Sequence, residues 1–217
     1  MIWTPETRAA RVDAILAQAP VLPVLAIDRV EDAVPLARAL VDAGLHVLEV
    51  TLRTPVALDA MRAIVQEVPE AIVGAGTMLR AEDFRSVEAT GAVFGIAPGT
   101  TPALYNAAEL TALAFIPAVA TASELMCGME RGYRRFKFFP AEGAGGIATL
   151  KAFAGPFADV RFCPTSGIDA SKAGAYLALG NVATVGGSWM VPADALASRD
   201  WARIARLARE AAALRAA

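Results

Sequence analysis

The chain is predicted to fold as a (β/α)8 TIM barrel with an extra N-terminal helix, a single domain over residues 1–217. Three observations predict it. Short apolar runs alternate with amphipathic segments along the whole length, and strands separated by helices build parallel βαβ units. The 217 residues accommodate eight such units around one substantial core. The composition, 56% hydrophobic and 19% charged, excludes a disordered chain and fits strands buried on both faces. A doubly wound open sheet is the rival architecture. It uses fewer strands and usually shows a Gly-rich turn after the first, whereas here the first apolar run is followed by Asp28-Arg29-Val30-Glu31.

The elements follow in order. Thr4 to Gln18 reads as the extra helix. The strand-like runs are Val21–Ile27, Val47–Leu52, Ala71–Thr77, Ala92–Pro98, Ala114–Ala120, Arg134–Pro140, Val160–Pro164 and Val182–Gly187. Among the helix-like segments between and after them are Val30–Ala43, Val56–Val68, Ala81–Thr90, Ser123–Gly132 and Asp200–Leu214. Glycine is expected to stop helices at Ala43-Gly44, Thr90-Gly91 and Leu179-Gly180. Thr54-Pro55 and Thr101-Pro102 are expected to start them, with Pro at the first helical position. There is no linker and no low-complexity tract.

Composition also excludes classes of function. A net charge of −2 without a basic run gives nucleic-acid or membrane-surface binding no electrostatic support. Val21–Ile27 contains Pro23 and is too short to span a bilayer, and the mixed-charge segment before it is no signal peptide, so the cytoplasm is the expected location. Cys127 and Cys163 form no CxxC pair and read as small buried hydrophobes. One His and two Cys supply no conventional zinc site, and no metal or cofactor is expected.

Lys137 is the most informative residue. It lies in Arg134-Arg135-Phe136-Lys137-Phe138-Phe139-Pro140, an ammonium group inside a strand-like run. Strand side chains alternate faces, so Phe136 and Phe138 share one and Lys137 and Phe139 the other. In a barrel the phenylalanine pair suits the helices, which turns Lys137 and Phe139 into the bore near the carboxyl end, where such barrels place active sites. An amine withdrawn from water favours its neutral form, and a neutral amine forms Schiff bases with carbonyls. On the second strand Glu49, Thr51 and Arg53 share a face. Strands two and six contribute to the same interior layer, so Glu49 is placed to face Lys137. Their pairing is either a structural ion pair or an acid/base partnership for an imine-forming lysine. Arg53, one pleat further on, suits a substrate carboxylate.

Other features are weaker. Gly74-Ala75-Gly76-Thr77 is either a packing device or a close approach of backbone and the Thr77 hydroxyl to a ligand. Pro164-Thr165-Ser166-Gly167 and Gly186-Gly187-Ser188 end strands seven and eight, the usual phosphate site of this architecture. Glu142-Gly143-Ala144-Gly145-Gly146 lacks the endings of a nucleotide loop and reads as a flexible loop. Arg203, Arg206 and Arg209 read as a solvated helix face.

Five ordered motifs, Leu48-Glu-Val-Thr-Leu-Arg53, Ile72-Val-Gly-Ala-Gly-Thr77, Phe136-Lys-Phe-Phe-Pro-Ala-Glu142, Arg161-Phe-Cys-Pro-Thr165 and Gly186-Gly-Ser-Trp189, closely resemble the bacterial 2-dehydro-3-deoxy-6-phosphogluconate (KDPG) aldolases. Many members of that family also act on 4-hydroxy-2-oxoglutarate. The resemblance covers nearly the whole chain. It implies a metal-independent homotrimer of (β/α)8 barrels that releases pyruvate through a Schiff base on Lys137, with Glu49 as general acid/base. It also implies pyruvate-carboxylate contacts at Arg53 and Thr77, site walls at Pro98 and Phe139, and phosphate loops at Thr165, Ser166, Gly167, Gly187 and Ser188. The expected partners are a 2-oxo acid and a sugar phosphate. The chain departs from the family pattern twice: Ser166 stands where a glycine is usual, and Ile116-Pro117-Ala118 stands where Ile-Pro-Gly often occurs. Both bear on substrate range, so a 4-hydroxy-2-oxoglutarate or related aldolase is the alternative. A non-catalytic sugar-phosphate-binding barrel is the reading from another class, opposed by the buried amine.

Overall fold

The structure, a computed structural model, describes residues 3–214. Its first half runs α1 (Pro5–Leu16), β1 (Val21–Leu25), α2 (Val30–Val41), β2 (Val47–Thr51), α3 (Ala57–Glu67), β3 (Ile72–Gly76), α4 (Ala81–Glu88), β4 (Phe94–Ile96) and α5 (Pro102–Ala108). Then come β5 (Ala114–Ile116), β6 (Ala118–Val119), α6 (Ala122–Glu130), β7 (Arg135–Phe138), α7 (Gly146–Ala154) and β8 (Arg161–Pro164). The last elements are α8 (Ala170–Leu177), β9 (Val185–Gly187), α9 (Ala193–Ala197) and α10 (Trp201–Ala212). Every predicted strand region holds a strand.

All strand pairings are parallel, and the sheet curls. Six strands run in the order β5-β4-β3-β2-β1-β9 and three in the order β6-β7-β8. Two parallel bridges, Phe162 to Val182 and Thr165 to Gly186, link β8 to the approach and body of β9. The predicted strand Ala114–Ala120 is broken at Pro117. Proline has no N–H to give a ladder, and the next N–H, from Ala118, goes to the Thr100 hydroxyl at 2.9 Å. The Pro117 carbonyl still accepts from Lys137 N at 2.9 Å.

Two apolar layers flank the strands. The outer one packs strand side chains such as Leu48, Val50, Phe136 and Phe138 under the helices. Phe138 stacks edge-on with Phe153 of α7 and with Phe162, and Gly128 of α6 leaves room for the Phe136 ring. The inner layer gathers Leu22, Val47, Phe94, Ile96, Ala114, Ile116 and Cys163 around Val12, Ile15 and Leu16 of α1. Leu22, Val47, Phe94 and Ala114 lie at the amino ends of their strands, so α1 covers that end of the sheet. Thr4 and Thr7 form a reciprocal cap at the start of α1, with Pro5 at its first position.

Local signals succeeded unevenly. Gly44 and Gly91 take left-handed φ of +95° and +84° and end their helices as expected. Gly180 does not, and α8 stops earlier, at Leu177. Thr101 caps α5 with Pro102 at its first position. Thr54-Pro55 starts no helix: α3 begins at Ala57, because the Thr54 hydroxyl is engaged by the Ile27 carbonyl at 2.6 Å. Cys163 is buried but Cys127 is exposed. It falls off the buried Leu125–Gly128 side of α6, which corrects its reading as a core residue.

Candidate active site

Parallel strands put every residue that follows a strand at the same end of the sheet. Arg53 lies past β2, Thr77 past β3, Pro98 past β4, Phe139 past β7, Thr165 to Gly167 past β8 and Ser188 past β9. The expected site residues therefore share the carboxyl end.

Below them, Lys137 of β7 and Glu49 of β2 meet between the strands. Lys137 Nζ donates to Glu49 Oε1 at 3.0 Å, and the residues are 5% and 1% exposed. Glu49 Oε2 is buried without a hydrogen-bond partner. A buried carboxylate oxygen needs a donor, so this atom is available to a water or a ligand hydroxyl. Gly76 on the adjacent strand has no Cβ because the Glu49 carboxylate occupies that place. Gly74 likewise makes room for the Phe94 ring. These glycines are thus packing devices for the side chains between the strands. Nζ of Lys137 also lies 5.5 Å from the centroid of the Phe139 ring.

Arg53 is anchored from beneath. The buried Thr51 hydroxyl donates to the Leu25 carbonyl at 2.8 Å and accepts from Arg53 Nε at 3.0 Å. The terminal guanidinium nitrogens remain for an anion. Thr77 is half-buried with φ +60°, and Pro98 and Phe139 are half-buried at the rim. Cys163 pairs in register with Lys137. Burial pushes its thiol up to about 12, with the Lys137 charge opposing the rise and the Glu49 charge adding to it.

The two expected anion loops adjoin through the Thr165–Gly186 bridge. Thr165 is buried, while Ser166 and Gly167 are exposed with left-handed φ of +88° and +76°. Gly186 leaves room for the Thr165 side chain and Gly187 for the Trp189 ring. A cleft of about 640 Å³ opens beside these loops, lined by Arg53, Ser188, Trp189, Arg29 and Asp32 among others. Lys137 and Glu49 do not line it. Arg29 and Trp189 were missed as cleft residues by sequence reasoning. Arg29 was noticed only because a turn lacked glycine, and Trp189 only within a motif. The segment after Pro140 is not a loose loop. Its backbone N–H groups at residues 144, 145 and 146 bond back to Pro140, Glu142 and Ala141. Among the described residues no cluster of three or more His, Cys, Asp or Glu is placed to hold a metal ion, and no helix is long and apolar enough to cross a membrane.

A curled parallel sheet with a buried amine against a half-satisfied carboxylate, beneath an arginine, defines an α/β protein equipped for covalent handling of a carbonyl acid. The chain belongs to the KDPG and KHG aldolase family, whose model matches residues 12–207. It is 54% identical to the KHG/KDPG aldolase of Escherichia coli (strain K12) over 199 residues, 92% of this chain and 93% of that protein. A KDPG aldolase from Legionella pneumophila, with pyruvate captured as a covalent carbinolamine, is 48% identical and superposes with a TM-score of 0.91 over 93% of this chain and 98% of the other. The Zymomonas mobilis ZM4 aldolase with 3-phosphoglycerate is also 48% identical, with a TM-score of 0.90 over 95% of this chain and 97% of the other.

Proposed function

We propose that this chain is a class I aldolase that cleaves 2-dehydro-3-deoxy-6-phosphogluconate to pyruvate and glyceraldehyde 3-phosphate. The observation that carries the reading is the buried Lys137–Glu49 pair at 3.0 Å. Passing one proton to Glu49 or to solvent frees the Lys137 amine to attack the C2 ketone. The resulting carbinolamine takes that proton back on its hydroxyl and loses water to an iminium, which leaves Glu49 ionised. Glu49, with its free Oε2 holding a water, takes the C4 hydroxyl proton as the C3–C4 bond breaks. The bonding electrons flow into the iminium and leave an enamine. Glu49 returns a proton to C3, and hydrolysis frees pyruvate and the amine. The carbinolamine in the Legionella relative supports this covalent route. The reading assigns no metal or cofactor a role.

Arg53 and Thr77 hold the pyruvate carboxylate, and Pro98 and Phe139 flank the reacting carbons. Thr165, Ser166, Gly167, Gly187 and Ser188 take the phosphate, and the Zymomonas relative was solved with a phosphorylated ligand. Ser166 favours a second reading, activity on 4-hydroxy-2-oxoglutarate, because a side chain stands in the turn where the family usually has glycine. The name of the E. coli relative covers both substrates.

The sheet is read as one closed eight-stranded barrel forming a single domain over residues 1–217, with α1 as its extra helix. The bridges between β8 and β9 and the break at Pro117 alone between β5 and β6 support closure. The family resemblance supports a cytoplasmic homotrimer, whose mass in solution is directly measurable.

Borohydride reduction with pyruvate tests the chemistry. Peptide mass spectrometry should place the adduct on Lys137, and Glu49→Gln should retain it while exchange of pyruvate methyl protons falls by about 10²–10⁴-fold. An adduct on Lys151 or Lys172, or none, overturns the reading.

A further inference from the structure

Glu142, two residues past the Phe139-Pro140 rim, carries more connections than its exposed position suggests. One carboxylate oxygen accepts from the Tyr176 hydroxyl of α8. The other accepts from Lys172 Nζ of the same helix at 2.7 Å. That ammonium group also donates to the Gly167 carbonyl at 2.9 Å. Backbone contacts run in parallel: Ala141 N donates to the Thr165 carbonyl at 2.8 Å and Glu142 N to the Ser166 carbonyl at 3.3 Å. A Cβ on Gly167 would sit 2.6 Å from Glu142 Cγ. The carbonyls of all three turn residues, Thr165, Ser166 and Gly167, are therefore held by the 141–142 backbone or by the Glu142–Lys172 bridge.

The turn has need of such a brace. Ser166 and Gly167 are consecutive left-handed residues, a conformation an L-residue holds only when its surroundings over-determine it. With its carbonyls tied back, the Gly167 N–H has no protein acceptor among the described residues and is left for an anion. Hydrogen bonds from Lys172 and then Tyr176 hold the Glu142 carboxyl below the usual range, so the bridge is ionic at neutral pH.

We propose that Glu142 is a positioning residue: through Lys172 and the β8 turn it sets the preference for a phosphorylated over an unphosphorylated substrate, without touching either. The inference rests on the reading of Thr165–Gly167 as the phosphate turn. It places the discrimination on a carboxylate and an α8 lysine that the reaction itself does not use.

The test compares KDPG with 4-hydroxy-2-oxoglutarate in Glu142→Gln and Lys172→Met. Each variant should raise KM for KDPG by about tenfold, less than the roughly 10²-fold that a misplacement of about 1 Å can cost. The kcat for KDPG, the kcat/KM for 4-hydroxy-2-oxoglutarate and pyruvate trapping at Lys137 should stay near wild type, which also reports a folded site. Ser188→Ala is the control for the phosphate reading and should weaken KDPG alone. If it does so while Glu142→Gln leaves KM for KDPG unchanged, the positioning role is refuted and the phosphate site stands. If neither variant alters the ratio of the two substrates, the phosphate reading fails and takes this inference with it. If Glu142→Gln tightens KDPG while Lys172→Met weakens it, Glu142 merely neutralises a phosphate-binding lysine, and the brace is refuted.

Discussion

Ser166→Gly separates two consequences of one side chain. Ser166 stands at φ +88°, a region that costs an L-residue roughly 1–2 kcal/mol. Glycine takes it without strain but loses about 0.5–1 kcal/mol more chain entropy on folding. The difference spans about 0–1.5 kcal/mol and centres on a net stabilisation of about 0.75 kcal/mol. For a chain of this size that is a rise of about 1–4 °C in Tm, read by thermal denaturation. Strain present with and without substrate does not alter binding, so the kinetic effect has another source. On the proposed phosphate placement the serine side chain crowds the anion, and its removal is expected to help by about 1 kcal/mol, or roughly fivefold in kcat/KM. The assay is the ratio of kcat/KM for KDPG to that for 4-hydroxy-2-oxoglutarate, which should rise by that factor while pyruvate trapping is unchanged. A fall in the ratio would make the Ser166 hydroxyl a phosphate ligand. An unchanged ratio would remove the turn from the phosphate site, and a lower Tm would show that the side chain makes a stabilising contact.

Two further expectations address the interior. Gly76→Ala places a methyl group on the Glu49 carboxylate. It should cost about 1–3 kcal/mol in urea unfolding and sharply reduce pyruvate proton exchange, and an unaffected exchange rate would detach Glu49 from the proton transfers. Burial raises the Cys163 thiol from 9.0 to about 12. A raised folded-state value means that its contribution to stability is complete below pH 9 and is lost as pH climbs toward 12. Cys163→Ala should therefore flatten part of the stability decline over that window, and native Cys163 should resist alkylation at pH 8. Rapid alkylation of native Cys163 would contradict the burial.

How much was legible depended on the range of the interaction. Period-two alternation separates Phe136 and Phe138 from Lys137, and Glu49 from Val50, because a pleated strand leaves no alternative. Strand parity then puts Lys137 and Glu49 in one interior layer, whereas their 3.0 Å contact belongs to the folded sheet. The break at Pro117 was half visible, since proline removes a donor, but the competing hydroxyl of Thr100 lies 18 residues away. Thr54-Pro55 failed for a similar reason: the hydroxyl expected at a helix start donates to the Ile27 carbonyl in the loop after β1. Glu142 was visible only as the end of a motif, with nothing to indicate its partners. Its neighbours Gly143 and Gly145 suggested looseness, and the tyrosine and lysine that hold it come from a helix about 30 residues on. Local periodicity reveals which way a side chain faces, whereas partners across loops belong to the assembled fold.

The packing of Val12, Ile15 and Leu16 against the amino ends of the strands has a consequence for traffic. In the proposed closed barrel, that apolar floor leaves the carboxyl end as the opening. On the proposed chemistry the pyruvate fragment stays tethered to Lys137, deep inside, while the aldehyde fragment lies nearer the opening. The aldehyde must therefore depart before pyruvate can, and in the synthetic direction pyruvate must enter first. The covalent bond sets that order, and α1, which touches no reactant, sets the side from which both fragments come and go.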